Sequence, residues 1–100
     1  MEASLVRENR VVLDLVQAAL GLISPEMWAI SVHAEPDRIL LYVAVHEHTA
    51  QVAEDVDDLV FELEALQDRA IAIEAAVHVG DPGAAWPGDL GRRVYLAKPT

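Results

Sequence analysis

The sequence predicts an α+β fold, a two-layer sandwich with two helices on one face of a four-stranded, mainly antiparallel sheet. Three observations lead there. Two stretches place apolar residues at helical spacing, and four others alternate apolar and polar residues at strand spacing. The six elements follow one another in the order αββαββ within 100 residues, which makes one domain, residues 1–100. A hydrophobic content of 53% is enough for that domain to bury a modest core of its own.

The first helix is expected over about Leu5 to Leu22, with Ser4 as N-cap and Ser24-Pro25 as the stop. At 100° per residue, Leu5, Val12, Leu13, Val16, Ala19, Leu20 and Ile23 share one side. Val11, Leu15, Ala18 and Leu22 widen that stripe past half the circumference, so the helix is expected to be mostly buried.

Residues 27–35 alternate as a strand, with Trp28, Ile30, Val32 and Ala34 on one face and Ser31, His33 and Glu35 on the other. "EPDR" (35–38) has Pro and Asp in turn positions, and "RILLYVAVHEH" follows as a second strand, so the two form an antiparallel hairpin. Thr49 is suited to cap a second helix over about Ala50 to Gln67. "AIAIEAAVHV" (70–79) and "RRVYLAK" (92–98) complete the sheet around a Gly/Pro-rich loop, "GDPGAAWPGDLG" (80–91). With both helices on one face, the other face is expected to carry His33, Tyr42, His46, Glu74, His78 and Tyr95.

The second helix has the sharpest pattern. Val52, Val56, Leu59, Val60, Leu63 and Leu66 form its core stripe. Phe61, the only phenylalanine, lies nine residues after Val52 and hence about 180° from it. Glu54, Asp57, Glu64 and Asp68 flank Phe61, with Asp58 and Glu62 at the margin. Charge is concentrated in the same place. Residues 47–68 hold eight acids and no Lys or Arg, whereas the rest of the chain, at nine acids to seven bases, is nearly balanced.

An aromatic side chain ringed by carboxylates can be a stray surface residue, a residue covered by the tail or the 80–91 loop, or the anchor of a protein-binding surface. For the anchor reading, the acids would meet Lys and Arg on a basic protein partner and steer its approach. Like charges four apart, such as Glu54–Asp58 and Asp58–Glu62, cost a few tenths of a kcal/mol per pair, and no lysine relieves them. Trp86, in the Gly/Pro loop, is either a lid over one end of the core or a second partner anchor.

Composition narrows the function classes. Direct nucleic-acid binding is disfavoured, since phosphate contacts require a basic patch and the net charge is −10. No apolar run reaches the roughly 18 residues of a membrane span, and "MEASLVREN" lacks the basic start of a secretory signal, so a cytoplasmic protein without membrane association is expected. With no cysteine there is neither a thiolate nucleophile nor a disulfide framework. Asp57 and Asp58 on an open helix face share one solvent environment, whereas acid/base pairs need environments that separate their pKa values. His46 and His48 invite a metal reading, but no third ligand has a diagnostic spacing, so exposed sheet-face histidines are expected, with no metal and no cofactor. No catalytic residue is assigned and the chain is not expected to be an enzyme.

The run "LVRENRVVLDLVQAALGLISP…W…VFELEALQ…HVGDP…WPG…GRRVYLAK" is similar to small immunity proteins of bacterial toxin systems, those of contact-dependent growth inhibition and of polymorphic toxins. The likeness is one of general type across nearly the whole chain and carries over no single residue. It implies a cytoplasmic protein that binds a cognate toxin domain, often a basic nuclease, and neutralises it. The partner-binding residues expected from the acidic helix face and the loop are Glu54, Asp57, Asp58, Phe61, Glu62, Glu64, Asp68 and Trp86. The alternative is a small homo-oligomeric ligand-binding or structural domain, a homodimer for instance, that associates through its open sheet face.

Overall fold

The computed structural model describes residues 2–83 and 85–97, and its elements follow the expected order. They are α1 (Glu2–Ala18), β1 (Met27–Ala34), β2 (Arg38–Val45), α2 (Ala50–Ala65), β3 (Ala72–Val79) and β4 (Arg92–Leu96), with one 3-10 turn at Pro87–Leu90. The sheet order is β3-β2-β1-β4. β1 pairs antiparallel with β2 and with β4, while β2 and β3 run parallel. A parallel pair needs a crossover rather than a hairpin, and α2 is that crossover. Both helices pack on one sheet face, giving the two-layer α+β sandwich.

The main core lies between those layers. Val11 and Leu15 of α1 and Val52, Val56, Leu59 and Leu63 of α2 meet Ile30, Val32, Ile39, Leu41, Val43 and Val45 of the sheet. The alternation in β2 is therefore the one expected, with Ile39, Leu41, Val43 and Val45 inward. α2 begins where its cap dictates, because Thr49 Oγ1 accepts a hydrogen bond from the Val52 amide at 3.1 Å.

α1 corrects the sequence reading twice. It starts at Glu2, which places Ser4 inside the helix instead of at its cap, and it stops at Ala18, before the expected Leu22. Gly21, with φ +80°, turns the chain there, since the left-handed conformation that ends helices suits Gly and is costly for other residues. The buried arc is also the other one. Val11, Leu15, Ala18 and Ala19 face the sheet, while Leu5, Val6, Leu13, Val16, Leu20 and Ile23 are exposed. An apolar arc wider than half the circumference does not specify which part of it meets the sheet.

The opposite sheet face is covered on its β1 side, while Glu74 and Ala76 of β3 are exposed. A register shift between Met27 and Ala29 turns Trp28 away from the main core, where alternation with Ile30 would put it. Trp28 joins Ala29, Tyr42, Ala44 and Trp86 in a second, smaller cluster on the far face. The 80–91 loop crosses this face, fixed by the Ser31 hydroxyl, which donates to the Gly88 carbonyl at 2.5 Å. Trp86 is 2% exposed, seated over the small residues Ala29 and Ala44. A second register shift, between Ile30 and Ser31, pairs Ile30 with Tyr95, so Tyr95 packs against the helix-side core and not on the far face. Arg93 takes the far-face position opposite Ser31, with its guanidinium 5.7 Å from the Trp86 ring centroid and bonded to Asp89 at 2.5 Å.

Candidate protein-binding site

α2 separates its two faces sharply. Val52, Leu59 and Leu63 are fully buried and Val56 nearly so, and this anchoring fixes which side of the helix faces outward. On the outer side, Phe61 is 69% exposed. Glu54, Asp57, Asp58, Glu62 and Glu64 are exposed on the same helix. None of these five forms an ion pair among the described residues. Five uncompensated carboxylates around one exposed aromatic ring make a surface of a single sign with an apolar centre. Neither the loop nor any other described element covers Phe61, so it is accessible.

Asp68 lies just past the helix end and differs from the other acids, because Arg10 of α1 approaches it to 3.5 Å. Both side chains are largely exposed, so the pair contributes little to stability and can exchange for another partner. Asp55 is also engaged, accepting from the Gln51 amide at 2.9 Å. The acidic face therefore centres on Glu54, Asp57, Asp58, Phe61, Glu62 and Glu64. Trp86 is remote from this group in kind, since its burial on the far sheet face leaves no ring surface for a partner. Of the two roles the sequence allows it, the lid is the one its placement supports, and it covers the β1–β2 part of the outer sheet face rather than one end of the core.

The histidines do not converge. His46 stacks on Trp28 with ring centroids 4.2 Å apart and planes 19° from parallel. Among the described residues no three His, Asp or Glu side chains are grouped as metal ligands. Arg38 ties β2 to β3 through Glu74 at 2.8 Å and also bonds Glu35 at the hairpin. The hydrogen bonds it donates to Glu35 and to Glu74 raise its guanidinium above an already high value, so it stays charged at any working pH.

A second exposed surface escaped the sequence reading. Val6 and Leu13 on the outside of α1 and Leu20 just past its end recur every seven residues, each at least 68% exposed. The sequence reading places Leu13 and Leu20 in the core stripe and leaves Val6 out of it. Among the described residues, no helix is long and apolar enough to cross a membrane. No protein-family model matches the chain, and no curated protein matches it.

Proposed function

We propose that this chain is a non-enzymatic binding protein that captures a basic protein through the outer face of α2. The observation that carries the reading is the exposure of Phe61 among five unpaired carboxylates. An aromatic side chain supplies large contact area at little conformational cost, and burying it at an interface removes apolar surface from water. The carboxylates then pair with Lys and Arg at the rim, adding association rate and discrimination against acidic proteins. Together with the resemblance to immunity proteins, this gives an inhibitor acting in the bacterial cytoplasm on a basic, nuclease-type toxin domain, the acid row occupying the ground where the toxin receives nucleic acid. Nucleic acid itself is repelled by the same face. Co-expression with the protein encoded directly upstream of this chain tests the proposal. A stable complex that Asp57→Lys disrupts supports it, and no complex with that protein contradicts it.

The homo-oligomeric alternative finds its support on α1 instead of the sheet. Trp86 and the turn at Pro87–Leu90 occupy the β1 side of the sheet face where association was expected, while Glu74 and Ala76 of β3 stay exposed on that face. The exposed Val6 and Leu13 of α1, with Leu20 just past its end, recur at the seven-residue spacing of a helix-pairing seam, flanked by Asn9, Arg10 and Gln17. Sedimentation of wild type and Leu13→Glu distinguishes the readings, since a dimer dissociated by that substitution supports the α1 seam.

A further inference from the structure

The chain has seventeen acids and seven bases, so a base without a carboxylate partner is unexpected. Arg38, Arg92 and Arg93 each hold at least one carboxylate. Among the described residues, Arg7 and Arg69 hold none, and both line the same cleft. This cleft lies between the first half of α1 and the connection from α2 to β3, with a volume of about 550 Å³. That size falls within the range of small-molecule sites. Arg10 is its third cation, and its one carboxylate is Asp68, the exposed and readily exchanged pair at 3.5 Å.

The guanidinium groups are held in place from outside the cleft or by burial. Arg69 donates to the Pro36 carbonyl at 2.9 Å, which leaves its charge uncompensated while restraining the side chain. Arg7 is half-buried, and its Nη1 is fully screened from solvent without a hydrogen-bond partner among the described residues. Partial burial strengthens the field of such a charge, because less water screens it. Three arginines against Asp68 leave the cleft positive in a protein that is negative elsewhere. Its walls also include Val6 and Ile71, so an apolar surface adjoins the cations.

We propose that this cleft binds a small organic oxyanion, with a carboxylate or phosphate-ester head held by Arg7 and Arg69 and a short hydrocarbon tail against Val6 and Ile71. A planar guanidinium presents two parallel N–H donors to such a head, which a bare halide or an amine does not match. The site is independent of the acidic face on α2, with which it shares only Asp68.

The test is a titration of the full chain, followed by the backbone amide NMR signals of Arg7, Arg69 and Ile71. The probes are hexanoate, hexyl phosphate, acetate, inorganic phosphate and hexylamine. Saturable shifts at those three amides with hexanoate or hexyl phosphate are expected, with acetate and inorganic phosphate at least about tenfold weaker for want of a tail. The tighter of the two hexyl probes identifies the head group. Arg7→Gln and Arg69→Gln should each weaken binding by at least about tenfold, as loss of a charged hydrogen-bond donor does. Arg93→Gln, on the far sheet face, should leave it unchanged. Arg69 bonds only through an exposed side chain, so its variant keeps the test valid even where Arg7→Gln unfolds. No saturable shift, equal binding of hexylamine, or undiminished binding by Arg69→Gln would overturn the proposal.

Discussion

Phe61 and Val52 stand on opposite sides of α2, the first 69% exposed and the second fully buried. The chain thus spends its one phenylalanine on the outside of a helix whose inner face is made of Val and Leu. That arrangement separates what Phe61 does for stability from what it does for binding, and the two can be measured apart.

Phe61→Ala should change folding stability by no more than about 0.5 kcal/mol, the usual range for a surface substitution. Leu59→Ala, two residues earlier and fully buried, should cost about 2–5 kcal/mol by leaving a cavity between α2 and the sheet. Thermal denaturation of both variants checks the contrast. For a domain of this size each kcal/mol shifts Tm by roughly 4–8 °C, so the two outcomes do not overlap.

Thr49→Ala should destabilise the fold by about 1 kcal/mol, because it removes the acceptor for the Val52 amide at the start of α2. Thr49→Asp should retain most of that stability, since a carboxylate caps equally well and also favours the positive end of the helix dipole. Urea denaturation of the three proteins measures the difference.

Trp86→Ala should cost about 3–5 kcal/mol, as large aromatic truncations in a packed site do. Gly88→Ala should act on the same contact, because a Cβ there would fall 2.3 Å from the Trp86 ring. Both variants should red-shift the tryptophan emission as the second cluster opens to water. A Trp86 variant with unchanged stability would mean that the loop does not cover the sheet.

The legible part of the fold was its alternation and caps. Thr49, the inward residues of β2 and the core stripe of α2 each follow from one local pattern with one solution. Trp28 and Tyr95 were misassigned because each lies next to a register shift in its strand pairing. Such a shift moves every subsequent side chain to the other face, and strict alternation within one strand cannot reveal it. α1 was misread for a different reason, since its apolar arc was too wide to fix an orientation. The acidic face could be read because all its residues belong to one helix. The arginine cleft could not, because Arg7 and Arg69 are brought together only by the packing of α1 beside the end of α2.

Association with a basic partner should slow as salt is added, because the acids around Phe61 act at long range and are screened within about 10 Å at 0.1 M ionic strength. Replacing Asp57 and Asp58 together by Asn should lower the association rate and flatten its salt dependence, with the dissociation rate much less affected. Stopped-flow mixing at several salt concentrations reads both quantities.

The most direct test is the affinity of wild type and Phe61→Ala for the protein encoded immediately upstream, measured by calorimetry at fixed salt. Wild type should bind it in a one-to-one complex, and Phe61→Ala should bind at least about 30-fold more weakly, the loss of roughly 2 kcal/mol that marks an anchor residue, with its Tm unchanged. Equal affinity of the two proteins, or no binding by wild type, would contradict the assignment of α2 as the recognition surface.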